Sequence, residues 1–151
     1  MTQSLHNDLL RQATDHHTAN RLDEAERLYR QVLKANPNHS GALHLLGLVA
    51  HQTGHHKEAV TLISRAIAME EKVPAFHNNL GEAHRALEQF DAAESAYRRA
   101  LALDSNFADA HSNIQTHSLT MLSGTKHRSP DLTTATSSSC RGTILTTYRP
   151  R

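Results

Sequence analysis

Between Leu22 and Leu103, apolar residues recur at three- and four-residue spacing, broken every 12 to 18 residues by short polar or proline-bearing stretches. That period predicts a row of short amphipathic helices and no strands. The clearest stripe is Ala25, Leu28, Tyr29, Val32 and Leu33, on a helix expected from Leu22 or Asp23 to about Ala35. Asp23 and Glu24 stand in its first turn and Lys34 in its last, where each sign suits the helix dipole. Asn36-Pro37-Asn38 ends it, because proline cannot continue a helix and disfavours the α region for the residue before it. By the same reading a third helix covers about Gly41–Gln52, with Ser40 as its candidate N-cap. A fourth covers His56–Met69, a fifth Pro74–Leu87, a sixth Asp91–Leu103 and a seventh about Ala108–Met121. The first, from about Leu5 to Thr18 after a frayed start, carries the weakest apolar face: Leu9, Gln12, Ala13 and His16. Two readings stay open there, a solvent-facing capping repeat, which we favour, and a marginal helix.

The helices are copies. Thirty-four residues separate Leu46-Gly47 from Leu80-Gly81, Ala25 from Ala59, and Ala59 from Ala93. In the same phase, Tyr29, Ile63 and Tyr97 align, as do Val32, Ala66 and Ala100. A fixed period of this length marks a repeat architecture. Small residues let two helices approach closely, and the large residue fills the space beside them. Asn20, which tolerates the left-handed conformation, and Gly54 stand at two of the bends, while Glu88-Gln89 makes a poorer turn at the third.

These positions resemble the tetratricopeptide repeat, which pairs Leu-Gly on a first helix with Ala, a large residue and Ala on a second, then closes with Pro. The second repeat supplies Leu46-Gly47, Ala59, Ile63 and Ala66; the third supplies Leu80-Gly81, Ala93, Tyr97 and Ala100. The first matches mainly in its second half, through Ala25, Tyr29, Val32 and Pro37, and the closing proline occurs only there, since Glu71 and Ser105 replace it. The resemblance implies an all-α solenoid of three repeats, at about 6–39, 40–73 and 74–107, plus one unpaired helix over 108–121. The domain is expected over 5–121.

The phrasing Asn79-Leu80-Gly81 and Tyr97-Arg98-Arg99-Ala100-Leu101-Ala102-Leu103-Asp104 is similar to the repeats that precede the catalytic region of protein O-linked N-acetylglucosamine transferases. In that family an asparagine before Leu-Gly recurs along the inner surface and grips the backbone of an extended peptide. Asn79 and Asn113 match it; Leu45 and Arg11 do not. The transferase chemistry would need a large sugar-nucleotide-binding region of α/β type, absent from this sequence.

In the family, the first helix of each pair lines the inner face. Helical spacing assigns to it Arg11, then His44, Leu45 and Leu48, then Asn78, Asn79 and Glu82, and finally Asn113. Leu10, Thr14, His17, His51, Arg85, Ser112 and Thr116 complete the surface. An amphipathic groove of this kind suits an extended peptide or a partner helix. A related subfamily clamps C-terminal carboxylates with Lys, Asn and Arg; Leu10, Thr14, Leu45, Ala75 and Asn79 stand at those positions, which disfavours that ligand.

Charge and composition narrow the rest. Residues 1–121 hold 11 Lys/Arg and 14 Asp/Glu, whereas 122–151 hold 5 Lys/Arg, 1 acid and 12 Ser/Thr. Such a tail cannot bury enough apolar surface to offset the entropy of ordering it, so disorder is expected. Its scattered charge and single aromatic, Tyr148, argue against nucleic acid or membrane as partner. No signal peptide or membrane span is expected, and a cytoplasmic protein follows. Cys140 has no partner for a disulfide and lies far from any helical histidine, so no nucleophilic site is expected. Thirteen histidines invite a metal test. His51 and His55 have helical spacing, but Gly54 breaks the helix between them, so neither a metal nor another cofactor is expected. His77, His84 and His111 fall on packing faces, where their titration would make stability pH-dependent.

The expected function is a non-enzymatic interaction module binding a peptide or a partner protein. Two alternatives stand beside it: the substrate-recognition part of an O-GlcNAc transferase-like enzyme, and a module that self-associates through the unpaired helix 108–121. The loss of pattern near residue 118 points to a truncated or frame-shifted copy of a longer repeat protein.

Overall fold

The computed structural model describes residues 2–127, all of whose regular structure is helical. Seven helices follow one another: α1 (Thr2–Thr18), α2 (Leu22–Ala35), α3 (Ser40–Gln52), α4 (His56–Met69), α5 (Pro74–Ala86), α6 (Phe90–Leu103) and α7 (Ala108–His127). Residues up to Ile114 form one compact unit; a second begins at Gln115. The basic Ser/Thr-rich tail beyond His127 lies outside the described residues. Within the first unit, α1 packs on α2, α3 on α4 and α5 on α6, and α2·α3 and α4·α5 contacts stack each pair on the next. This is an all-α solenoid of helical hairpins.

Each hairpin turns in the same way. Asn20, Gly54 and Glu88 stand 34 residues apart, and all three have positive φ, at 58°, 84° and 58°. After each, a backbone N–H returns to a carbonyl five residues back: Arg21 to His16 at 2.9 Å, His55 to Ala50 at 2.8 Å, and Gln89 to His84 at 3.0 Å. That pattern satisfies helix-terminal carbonyls and needs one left-handed residue. Glycine adopts it without cost, asparagine readily, and glutamate only against the Cβ clash.

The core is built from the repeating small and large positions. Ala25, Ala59, Ala93, Tyr29, Ile63 and Tyr97 are wholly buried. Gly47 and Gly81 mark the closest approaches. A Cβ on Gly47 would lie 2.6 Å from Cγ1 of Ile63, and one on Gly81 only 2.4 Å from Cε1 of Tyr97. Gln12 is exposed beside the buried Ala13, as a solvent-facing first helix requires.

Several boundaries differ from the sequence expectations. Helix α1 starts at Thr2 rather than near Leu5, and α7 runs to His127 rather than Met121. The N-cap of α3 is His39, not Ser40: His39 Nδ1 accepts from the Ala42 backbone N–H at 3.1 Å. Ser40 instead donates its hydroxyl to Glu70 at 2.8 Å, bracing α3 against the end of α4. A spacing rule for caps cannot see that long-range partner. No helix among the described residues is long and apolar enough to cross a membrane.

Candidate functional site

The inner-face residues sit on α1, α3, α5 and α7. Successive inner helices are joined by side-chain hydrogen bonds with a common offset of 35 residues, one more than the repeat. His17 Nε2 meets Gln52 Oε1 at 3.0 Å, Asn79 Nδ2 donates to His44 Nε2 at 2.8 Å, and Asn113 Nδ2 donates to Asn78 Oδ1 at 3.0 Å. A longer contact, Asn78 Nδ2 to Asn79 Oδ1 at 3.4 Å, joins the last two into a chain running Asn113, Asn78, Asn79, His44. The offset has a simple origin. Equivalent residues on parallel neighbours lie level, and a residue one position on leans toward the neighbouring helix.

The chain sets the state of His44. Its Nε2 accepts from Asn79, so the proton of the neutral ring sits on Nδ1. The ring is buried and lies on Phe76, with centroids 4.4 Å apart. Burial, reinforced by His17, pushes its pKa down to about 4, so His44 is a neutral polar group near neutral pH. His51 is also lowered, first by burial and then by His56, whose Nδ1 lies 3.1 Å from its own. The opposite sign of charge is closed off too: Glu82 accepts from Arg85 at 2.8 Å and from the Tyr97 hydroxyl at 3.3 Å.

The residues expected on this face are therefore not equivalent. His44 and Asn78 are buried; Leu45, Leu48, Asn79, Glu82 and Asn113 are half-buried. Arg11 is exposed and, among the described residues, pairs with Asp8 on its own helix, at 3.8 Å, rather than with the chain. Gln52, through His17, and Phe76, against His44, belong to the site and were not among the expected inner-face residues; the signal that finds Gln52 is the 35-residue offset itself. Among the described residues no group of three or more His, Cys, Asp or Glu is placed to hold a metal ion. His51 pairs with His56, while His55 turns to Thr53, 3.0 Å away. His77 is buried, and its Nε2 meets the Glu71 carbonyl at 2.7 Å. His84 is half-buried against Gln89, whereas His111, expected on a packing face, is exposed and meets the Ser105 carbonyl at 2.8 Å.

A crevice of about 570 Å³ lies away from this face, floored by Leu80, Ala92 and Ala96 and rimmed by His77 and Arg99. One repeat earlier the corresponding crevice, with Leu46, Leu62 and Arg65, measures about 310 Å³. The later one is wider because Ala96 stands where Leu62 did. Its arginines are engaged, Arg98 with Glu94 and Arg99 with Glu71, so it offers no free charge.

Hairpins in 34-residue register, left-handed turns at one repeat position and a Gly-against-large-residue contact define a helical-hairpin repeat protein. Tetratricopeptide repeat signatures match residues 10–74 and 74–107, and the chain belongs to the tetratricopeptide repeat family. It is 31% identical over 85 residues to human tetratricopeptide repeat protein 7A, covering 56% of this chain but only 10% of that protein. Among solved structures it is similar to an O-GlcNAc transferase mutant of Thermobaculum terrenum, with TM-score 0.74 and 30% identity over 76% of this chain and 22% of that one. The first tetratricopeptide domain of Spaghetti (RPAP3), solved bound to the HSP90 peptide SRMEEVD, shares the fold at TM-score 0.74 and 19% identity, covering 78% of this chain and 93% of that one.

Proposed function

We propose that this chain is a non-enzymatic interaction module that holds an extended peptide or a partner segment along the inner face of α3, α5 and α7. The observation that carries this is the amide line. Each asparagine Nδ2 has two N–H groups, and Asn79 and Asn113 each commit Nδ2 to one bond among the described residues, to His44 and Asn78. The remaining N–H groups and carbonyl lone pairs suit a peptide backbone, whose own donors and acceptors recur along an extended strand. The bonds within the protein hold the side chains in one rotamer, so little ordering entropy remains to be lost on binding. A peptide-bound relative of the same fold supports the reading.

Fluorescence anisotropy with a panel of labelled extended peptides tests it. The paired change Asn79→Ala with Asn113→Ala is expected to weaken every bound peptide at least tenfold while the helical circular dichroism stays intact. Unchanged affinities in a folded double variant would sink the groove.

Similarity to a glycosyltransferase repeat region over 22% of that chain favours one setting for such a groove, the substrate-recognition part of a larger enzyme. Glycosyl transfer recovered when this chain is grafted onto a catalytic region lacking its own repeats would support that setting. Self-association is the other reading, favoured by Leu119 and Leu122 on α7, which are 66% and 67% exposed. Light scattering behind size-exclusion chromatography decides it: a dimer that dissociates on Leu119→Asp with Leu122→Asp supports this reading, and a monomeric parent chain removes it.

A further inference from the structure

At the 34-residue repeat position, Leu45 on α3 gives way to Asn79 on α5 and Asn113 on α7. The same level of the inner face thus changes chemistry along the array. On α3 it is aliphatic: Leu45 packs partly against the core, and Leu48, one turn on, is half-buried without joining that cluster. From α5 onward it is made of amides. No step of the face carries an unpaired formal charge among the residues described there. Arg11 reaches Asp8, and Glu82 and Arg85 neutralise one another. His44 and His51 are both held toward the neutral form by burial.

Resting on the groove reading above, we infer that the preferred ligand is an uncharged extended segment of about seven residues, aliphatic at the end over Leu45 and Leu48 and polar but neutral at the end over Asn79 and Asn113. Neighbouring helices lie ~10 Å apart, and an extended chain advances ~3.3 Å per residue, so each inner helix meets about every third ligand residue. Two steps, from α3 to α7, then span about seven. A carboxylate or phosphate placed on this path would lose its water without gaining a cation, because the arginine within reach is already spent on Glu82. The surrounding body deepens that exclusion, with 14 acids against 11 Lys/Arg in residues 1–121. Acidic peptides such as the SRMEEVD peptide bound to the RPAP3 domain are therefore rejected despite the shared fold.

The test uses the full chain and labelled nine-residue peptides, capped except where a free C-terminus is stated, each made in both chain directions. One is Leu-Val-Leu followed by Ser, Thr and Gly; one replaces two of its polar residues by Glu and leaves the C-terminus free; one is polar and neutral throughout. The first is expected to bind at least tenfold more tightly than the second and several-fold more tightly than the third. Leu48→Asp is expected to remove its advantage over the third, and Asn79→Ala to weaken both neutral peptides alike. Equal or tighter binding of the acidic peptide overturns the inference while leaving the groove reading standing. So does a Leu48→Asp chain that keeps its helicity and still prefers the aliphatic peptide. Binding by none of the three, with the chain folded, overturns the groove and this inference together.

Discussion

Gly81→Ala puts the packing of the third repeat to the test. A Cβ built on Gly81 meets three atoms of the Tyr97 ring, at 2.4, 2.7 and 2.9 Å. Ordinary contact is about 3.5–4 Å, so ring and helix must part by roughly 1 Å. Tyr97 has little freedom to yield. It is wholly buried, and its hydroxyl donates to Glu82 at 3.3 Å, which anchors the far end of the ring. Overpacking of this kind costs about 1–3 kcal/mol, and a pinned aromatic places it near the upper end. Against that, alanine improves on glycine inside a helix by about 1 kcal/mol. The net expectation is a loss of about 2 kcal/mol, read from urea denaturation followed by circular dichroism. In a Tyr97→Leu background the same change should cost little, giving a coupling of about 2 kcal/mol in the double-mutant cycle. Gly81→Ala as stable as the parent chain, or more stable, would refute the close approach of α5 to α6.

The other expectations are smaller. Because the His44 pKa is lowered in the fold from an ordinary 6.5 to about 4, its contribution is complete above pH ~6.5 and lost as the pH falls toward 4. Between about pH 7.5 and about pH 5.5 the loss is about 1 kcal/mol; His51, also lowered, adds in the same direction. Chemical denaturation at the two pH values checks this, and His44→Gln, which keeps an acceptor for Asn79, should remove most of the difference. Gly54→Ala should cost about 1 kcal/mol for its left-handed backbone alone, since nothing lies within 4 Å of the added Cβ. Glu88→Gly, at the same repeat position with φ of 58°, should gain up to about 1 kcal/mol, read as a rise in thermal midpoint.

The repeat was legible without any structure because its determinants are local and periodic. Ala59, Ile63 and Ala66 against Ala93, Tyr97 and Ala100 state a packing rule twice in the same phase, and a rule stated twice survives individual departures. The bend at Asn20 and Gly54 was legible for the same reason: left-handed backbone leaves a compositional trace. Glu88 adopts that conformation without leaving the trace, and only its place in the register shows it. The groove residues were legible as a face, since helical spacing sorts residues by direction.

What each groove residue does was decided by tertiary structure. Helical spacing placed Asn78, Asn79 and Asn113 beside His44 in kind, as polar groups pointing inward. It could not tell that Asn79 donates to His44 across 35 residues, or that Glu82 is already satisfied by Arg85 and Tyr97. The same holds for His39 displacing Ser40 as the cap of α3, because Glu70 captures the serine hydroxyl from 30 residues away. Backbone conformation and amphipathic direction are set by a few neighbouring residues and repeat with them. Hydrogen-bond partners and the ionisation of a buried ring depend on which helices meet and how deeply, and that is a property of the stacked array.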